Sequence, residues 1–457
     1  MNIYIKIEIL DRELEGRLLL ALVAAERGHD VLLGTMSALL SHRFWLAPGI
    51  YHDKSVTPKP AKIELHGRLR AAGFAVTSQD EEHGLSEADY APFVRRRFSD
   101  RTLAQASRVL TWGPHDTAAL LDHHPAHASV FTMTGSPRVD VWRPEMAAVQ
   151  QRGPLPGIDP SRPYVLFSTS ALPFQPNPFW RVIADARVSQ FPGTDDEREW
   201  MHYEKYAVAY AYVARLVRGV RMAAARLPDV QLVIRPHPTA VVEAWHAVLG
   251  PVPENVHVVR EGGSGRWIAG ATAVVHNGST TGVEAAARGV PVVSFQPNGE
   301  RRDMFANRVG RIANHEEELV ELLRAAGTEQ RSSWGEDART ILSERFAALD
   351  GPLAADRIVD AWEELDDSGL SRRNRPGRAR RLAVAHRRVG RLRTALRGER
   401  FGQPGRSGID VSGKFPPLER GRLETLVEAM SGSLDRFHDV RVVRVGPDLV
   451  HLTRRDH

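Results

Sequence analysis

The first 34 residues follow a strand–helix–strand pattern, and this pattern constrains the fold more than any other feature of the sequence. Residues 2–10 carry isoleucine at alternate positions, which indicates a strand. Asp11 can begin a helix over 12–27, Gly28 can end it, and 29–34 form a second short strand. Strands joined through a helix lie parallel with a crossover between them, so this opening predicts a doubly wound α/β sheet.

The same alternation continues for most of the chain and is broken once, by a stretch rich in proline and glycine over 150–163. The sequence therefore predicts two tandem doubly wound Rossmann-like domains, 1–149 and 158–349, followed by a closing helix over 350–367. The remainder, 368–457, is predicted to be a basic amphipathic segment with a C-terminal extension. Further strands are expected at 74–77, 109–112, 130–134, 164–167, 230–234, 256–259, 273–276 and 291–295.

Composition excludes several classes of protein and of site. The 457 residues include no cysteine, which rules out disulfides, thiolate metal sites and a cysteine nucleophile. No apolar run is long enough to span a bilayer, and the strand pattern begins too early to leave room for a secretory signal. We therefore expect a cytoplasmic protein. The histidines show no spacing typical of metal ligands, so no metal site is predicted.

Most of the positive charge lies in one segment. Residues 371–400 contain twelve arginines and one acid, for a formal charge of +11, so the rest of the chain carries +5 − 11 = −6. From Leu382 to Leu396 apolar residues recur at alternating three- and four-residue spacing, which indicates a narrow helical stripe. This pattern predicts a helix docked on the inner face of the plasma membrane. A helix packed on the acidic body or a short coiled-coil seam would look the same. No aromatic residues interleave the charges, so we expect no nucleic-acid partner.

A rigid turn follows the predicted strand 230–234. It consists of Arg235, Pro236, His237 and Pro238, and the two prolines stiffen its backbone. A histidine held at a strand end can donate a hydrogen bond or a proton to a leaving phosphate, and Arg235 can add a guanidinium clamp. A rigid turn with a surface histidine explains the same residues equally well.

A second candidate loop, 276–282, joins the predicted strand 273–276 to a helix. Its glycines allow close approach of the backbone, and its hydroxyls lie where the free amides of a helix N-terminus favour an anion. Simple N-capping and a solvated helix residue are the structural alternatives. The candidate nucleotide-binding residues here and on the neighbouring strand are Ser279, Thr280, Thr281, Glu284 and Ser168.

Three consecutive carboxylates, Asp80, Glu81 and Glu82, follow the predicted strand 74–77. Mutual repulsion can raise the pKa of one of them, and such a group can act as the base toward an acceptor hydroxyl. Acidic clusters on loops are more often simply solvated. The three become candidate catalytic residues because strand ends of two tandem domains are expected to face each other across a cleft.

Seven segments together resemble the bacterial family called surface carbohydrate biosynthesis proteins over most of the chain: IEILDRELEGRLLLALVAAERGHDVLLG, DEEHGL, RFSDRTL, TGSPRVDVWRP, RPHP, HNGSTTGVEAAARGVPVVSF and GKFPP. The loops described above also resemble motifs of bacterial sialyltransferases and capsule Kdo transferases. The resemblance implies a GT-B fold and CMP binding by His237, Ser279 and Thr280. It also implies a base at Glu81 or Glu82. In those motifs glycine follows the acids directly, whereas His83 intervenes here, so the base stays open among the three carboxylates.

The expected function is that of a metal-independent glycosyltransferase. Its donor would be a CMP-activated sugar of the ulosonic acid type, used as co-substrate without a further cofactor, and its acceptor a surface polysaccharide or glycolipid. Teichoic-acid polymerases and nucleotide-sugar 2-epimerases share some of the loop features. A CDP-polyol phosphotransferase and a non-catalytic, membrane-associated factor in glycan assembly are the alternatives.

Overall fold

The computed structural model of the chain describes residues 1–40, 47–81, 90–150, 155–169, 174, 195–237, 240–251, 253–299, 304–367 and 418–455. Glu82, Pro238 and the arginine-rich segment 371–400 lie outside these residues. The chain divides into two compact units. The first consists of Met1–Gly84, Asp89–Val149 and Ser343–His457, and the second of Leu85–Ala88 and Gln150–Leu342.

Each unit is built on its own, mainly parallel sheet, which confirms the predicted fold class. The described strands are β1 (Asn2–Ile7), β2 (Asp30–Thr35), β3 (Ile50–Asp53), β4 (Ala75–Gln79), β5 (Arg108–Thr111), β6 (Phe131–Met133), β7 (Tyr164–Ser168), β8 (Gln231–Arg235), β9 (Val256–Val258), β10 (Ala273–His276), β11 (Val292–Phe295), β12 (Arg311–Ala313), β13 (Val440–Gly446) and β14 (Leu449–Arg454). The strand order is β13-β14-β2-β1-β3-β4-β5-β6 in the first unit and β12-β11-β10-β7-β8-β9 in the second. The pairs β13–β14 and β14–β2 are antiparallel, and the other pairs are parallel.

The helices lie between the strands as a crossover fold requires. The described α-helices are Leu10–Glu26, Met36–Leu40, Pro60–Ala71, Tyr90–Arg97, Asp100–Leu103, Pro114–His123, Pro137–Asp140, Ala147–Gln150, Asp195–Arg226, Val242–Leu249, Ser264–Gly270, Thr280–Ala287, Phe305–Arg308, Glu316–Thr328, Ser332–Ser343, Ala354–Asp367 and Arg420–Leu434. Within the described ranges, no helix is both long enough and apolar enough to cross a membrane.

The first helix, Leu10–Glu26, is buried along most of its length because residues 18–25 are all apolar, on every face of the helix. It packs on the sheet and on the closing helix, Ala354–Asp367, whose Trp362 is fully buried in the same core. A Cβ atom at Gly16 would lie 2.9 Å from the backbone nitrogen of Arg138. The first helix is therefore in close backbone contact with the short helix that follows β6.

Residues beyond the second sheet return to the first unit. The sequence predicts a second domain over 158–349, whereas the second unit ends at Leu342. Two buried side chains of the first unit hold the returning chain. Asp140 accepts hydrogen bonds from the amides of Ala354 and Ala355, both at 2.9 Å, and Arg143 donates to the carbonyls of Ala348, Gly351 and Pro352.

The C-terminal residues also belong to the first unit, which the sequence analysis did not predict. Leu418 lies in the core formed by the first helix, and β14 pairs with β2. Arg436 fixes this return through ion pairs with Glu26 at 2.5 Å and Asp356 at 2.9 Å. The β13–β14 hairpin covers a sheet edge that would otherwise leave backbone groups unpaired. The described chain on either side of 368–417 therefore belongs to the same unit.

The core of the second unit lies between its sheet and two long helices. The helices Asp195–Arg226 and Glu316–Thr328 share a buried cluster that includes Leu216, Phe295 and Leu319. These contacts fix one face of the sheet and leave the carboxyl ends of its strands to carry the polar loops.

Candidate functional site

The carboxyl ends of three neighbouring strands of the second unit bring the predicted nucleotide-binding residues together. β7 lies between β8 and β10. Ser168, at the end of β7, is in register with Arg235, at the end of β8. On the other side β10 ends at His276, where the hydroxyl-rich loop begins. Loops far apart in sequence thus meet at one edge of the sheet.

Two serine hydroxyls meet at the amino end of the site helix, Thr280–Ala287. The Oγ atoms of Ser168 and Ser279 lie 3.2 Å apart. Ser279 Oγ also accepts a hydrogen bond from the amide of Thr281 at 3.2 Å, so Ser279 is the N-cap of this helix. Thr280 and Thr281 are half-buried in its first turn. The N-cap and a hydroxyl-lined helix N-terminus therefore coexist, and such a terminus favours an anion.

His276, the last residue of β10, holds this loop in place, a role that the sequence analysis did not assign. Its ring is fully buried, and Nδ1 accepts a hydrogen bond from the amide of Ser279 at 3.2 Å. Burial lowers the pKa of His276 to about 4, so the ring is neutral at pH 7. A Cβ atom at Gly282 would lie 2.2 Å from Nε2, so the site helix begins in direct contact with the imidazole.

Asn307 supports the same loop from a distant part of the chain. Its Oδ1 accepts hydrogen bonds from the Gly278 amide and from Ser294 Oγ, both at 2.7 Å. Gly278 has φ +72°, a conformation that favours glycine. The loop is thus fixed at its turn by Asn307 and at the start of its helix by His276. Asn307 lies 29 residues from the amide that it holds, so its contact leaves no local signal in the sequence.

In the turn after β8, the two candidate phosphate-binding side chains, Arg235 and His237, have different environments. The Arg235 guanidinium donates to the carbonyl oxygens of Glu261 and Gly262, the first at 3.0 Å. Arg235 therefore holds a neighbouring loop. The side chain of His237 is accessible to solvent. Its imidazole is nevertheless partly desolvated, and this desolvation, followed by the charge of Arg260, lowers its pKa. A neutral, exposed imidazole can donate a hydrogen bond to a phosphate oxygen.

Glu284 lies on the buried side of the site helix rather than at its open end. Its Oε1 forms an ion pair with Arg288 at 3.0 Å, four residues further along the helix. A Cβ atom at Gly265 would lie 3.3 Å from the same oxygen. The structure thus gives Glu284 a packing role, and its part in nucleotide binding stays a prediction.

In the first unit, the carboxylates after β4 have different environments. Asp80 forms a bidentate pair with Arg97, through Nε at 2.9 Å and Nη2 at 2.8 Å. Trp112 Nε1 donates to the Asp80 carbonyl at 3.0 Å. Both contacts hold this residue in place, and the bidentate pair occupies both carboxylate oxygens of Asp80.

Glu81 is 5% exposed, and its Oε1 forms an ion pair with Arg17 Nη2 at 2.8 Å. Burial raises the pKa of Glu81; the charge of Arg17 opposes this effect, and that of Glu13 adds to it. The sequence analysis expected a raised pKa from repulsion among adjacent acids. The structure places the cause in burial and in a residue of the first helix.

No protein-family model and no curated protein matches the sequence. Among solved structures, a protein assigned as a UDP-N-acetylglucosamine 2-epimerase from Listeria monocytogenes is 13% identical, over 80% of this chain and 97% of that one, with a TM-score of 0.50. The wall teichoic acid polymerase TagF matches at 9% identity over 80% and 89% of the two chains, with a TM-score of 0.49. A glycotransferase of kitacinnamycin matches at 14% over 80% and 97%, with a TM-score of 0.40.

The fold is GT-B-like. The match to the Listeria protein extends over nearly all of that chain. The present chain likewise forms two Rossmann-like units, each with a mainly parallel sheet. At this level of identity the likeness concerns the fold, and the chemistry has to be inferred from the residues of each unit.

Proposed function

We propose that this chain is a glycosyltransferase that moves an acidic, ulosonic acid-type sugar from a CMP-sugar to a surface glycan. The observation that supports it most is the convergence of Ser168 and Ser279 at the amino end of the site helix. Thr280 and Thr281 add hydroxyls to the same helix end. The loop is held by the buried His276, so its donors are oriented before a phosphate arrives, which limits the ordering cost of binding.

His237 assists departure of the nucleotide in this proposal. Its lowered pKa keeps the ring neutral at pH 7, and a neutral imidazole carries one N–H that can donate to a phosphate oxygen. Arg235 acts indirectly, because its hydrogen bonds to Glu261 and Gly262 position the turn that carries His237.

Glu81 is the proposed base. Its raised pKa gives the carboxylate a greater proton affinity than an exposed glutamate has. In the transfer, the acceptor oxygen bonds to the anomeric carbon while its proton passes to Glu81. The bond from that carbon to the phosphate oxygen breaks, and CMP leaves with the electron pair. Asp80 is less suited to this role because Arg97 occupies both of its oxygens.

The preference for a cytidine donor rests on the resemblance of the loops to CMP-sugar enzymes. A nucleotide-activated sugar is also consistent with the name of the Listeria protein that shares the fold. We further propose that the enzyme acts in the cytoplasm, at the inner face of the plasma membrane, through residues 371–400.

A donor panel tests this function. Thermal unfolding is measured with CMP, CDP, UDP and GDP, because a ligand that binds only the folded state raises the melting temperature. Cleavage is then measured for CMP-N-acetylneuraminic acid, CMP-Kdo, CDP-glycerol and UDP-N-acetylglucosamine. We expect stabilisation by CMP and cleavage of a CMP-ulosonate. Cleavage of CDP-glycerol alone would identify a phosphotransferase, and turnover of the UDP-sugar alone would refute the cytidine assignment. Absence of binding to all four nucleotides would favour a non-catalytic assembly factor.

A further inference from the structure

Arg17 is a buried arginine with only one ionic partner in the described part of the chain. It lies on the first helix, is 2% exposed, and contacts Glu81 through Nη2 at 2.8 Å. Glu13 lies four residues before Arg17 on that helix, but it binds Arg12 at 3.0 Å and the amide of Glu8 at 2.8 Å. Arg17 is thus directed at the carboxylate that follows β4.

The Arg17–Glu81 pair leaves polar atoms unsatisfied. Nε, Nη1 and Nη2 of Arg17 and Oε2 of Glu81 are buried without a hydrogen-bond partner among the described residues, so the 2.8 Å contact of Nη2 with Oε1 is an ion pair without hydrogen-bond geometry. A buried donor or acceptor without a partner lowers stability, and a buried ion pair is often no more stabilising than an apolar pair of similar size. Stability alone therefore gives a weak reason to place this pair in the interior.

A second buried arginine of the same unit shows what a structural role looks like. Arg143 is 5% exposed, and its guanidinium donates to three backbone carbonyls at the start of the closing helix. All of its nitrogens have partners, since none of them is among the unsatisfied buried atoms. Arg17 has comparable burial and lacks such carbonyl partners in the described chain.

We propose that Arg17 is a positioning residue that holds Oε1 of Glu81 and directs Oε2 toward the proton of the acceptor hydroxyl. This inference rests on the proposed function, in which Glu81 is the base. An arginine suits the task because its charge persists at all relevant pH values. Arg17 does not touch the reacting atoms in this proposal.

Other charged groups surround Glu81 on every side that the structure describes. The first helix presents Arg12 and Glu13, and the short helix after β6 presents Arg138. Asp80, the residue before Glu81, is also charged, but its carboxylate is paired with Arg97. His52, on β3, lies near enough to Arg17 that burial, followed by the Arg17 charge, lowers its pKa well below the usual range. His52 is therefore neutral, and Arg17 is the cation in ion-pair contact with Glu81.

The sign of the expected pH effect follows from these charges. Glu81 acts as a base only when ionised, so the rate falls as the pH drops through its pKa. The positive charge of Arg17 lowers that pKa. Removing the charge should therefore raise the pKa further, by about 1–3 units for an ion pair in contact, and move the acid limb of the rate profile to higher pH.

The test uses Arg17→Met, Arg17→Lys, Glu81→Gln and Arg143→Lys in the full chain. The Glu81 carboxyl is titrated by ¹³C NMR on glutamate-labelled protein, with Glu81→Gln used to assign its signal. The rate of CMP-N-acetylneuraminic acid hydrolysis is measured against pH. We expect Arg17→Met to raise the pKa of Glu81 and shift the acid limb, and Arg17→Lys to restore most of both. Arg143→Lys should lower the melting temperature without moving either.

The outcomes separate the two proposals. An unchanged Glu81 pKa and acid limb in folded Arg17→Met would overturn the positioning role, whatever happens to the rate. Full activity in Glu81→Gln would overturn the base assignment itself. If Arg17→Met does not fold, Arg17→Lys decides, because it keeps the charge but removes the guanidinium that contacts Oε1 of Glu81. We then expect a lower rate at high pH with an acid limb close to that of the wild type, and a wild-type rate would refute the proposal.

Discussion

Substituting Gly282 by alanine tests whether the site helix begins where a nucleotide phosphate binds. The added Cβ would lie 2.2, 2.4 and 2.6 Å from Nε2, Cδ2 and Cε1 of His276. An ordinary contact begins at 3.4 Å, so the helix start and the imidazole together have to move apart by about 1.2 Å. The buried imidazole has little room to yield. A misplacement of about 1 Å costs on the order of 100-fold in rate, and we expect a loss of that size in donor cleavage.

The stability of Gly282→Ala should change much less than its activity. Overpacking costs about 1–3 kcal/mol, and alanine in a helix regains roughly 0.5–1 kcal/mol, so we expect a net loss of about 1–2 kcal/mol in urea unfolding. Gly335→Ala is the matched control, because nothing lies within 4 Å of its Cβ position in the helix Ser332–Ser343. It should be slightly more stable and fully active. Wild-type turnover and CMP binding in Gly282→Ala would refute the phosphate assignment.

Three further perturbations address separate parts of the molecule. His237→Ala should lower donor cleavage and weaken stabilisation by CMP while leaving the melting temperature of the free protein unchanged; full activity in the folded variant would contradict its role at the phosphate. Asp140→Ala leaves two buried helix amides without an acceptor, so we expect urea unfolding to show a loss of about 2–4 kcal/mol, and a loss within error would show that the cap is dispensable. Deleting 371–400 should release the protein from phosphatidylglycerol vesicles yet spare donor cleavage, whereas binding that survives the deletion, or that high salt does not weaken, would contradict electrostatic docking.

Local sequence patterns predicted most strands because burial in a parallel sheet requires short apolar runs. They failed at β3, where Ile50–Asp53 includes the buried polar residues His52 and Asp53. They failed again at β13, an edge strand in which Arg441 and Arg444, three positions apart, break the apolar alternation. At β3, contacts from distant segments override the pattern. Asp53, for example, is paired with Lys6 at 3.0 Å and His66 at 2.9 Å.

The candidate site was predictable in its location and less so in its supports. Strand ends and hydroxyls mark Ser168 and Ser279 from sequence alone. One residue that fixes the loop before Ser279 is remote, because Asn307 bonds the amide of Gly278, 29 residues away. Arg17, on the first helix, reaches a carboxylate beyond β4. Pairings of this kind depend on how strands are ordered in the sheet, which a single sequence does not specify.

Two buried carboxylates of the first unit, Asp53 and Glu81, have environments that shift their pKa values in opposite directions. Burial raises the pKa of Asp53, but the hydrogen bond from His66 and the charges of Lys62 and Lys6 outweigh it and hold that pKa well below the usual range. Asp53 is therefore a fixed anion across the working pH range. Among the described residues Glu81 contacts one cation, Arg17, and burial raises its pKa. Of these two carboxylates, Glu81 is thus the one whose proton affinity suits it to accept a proton during transfer.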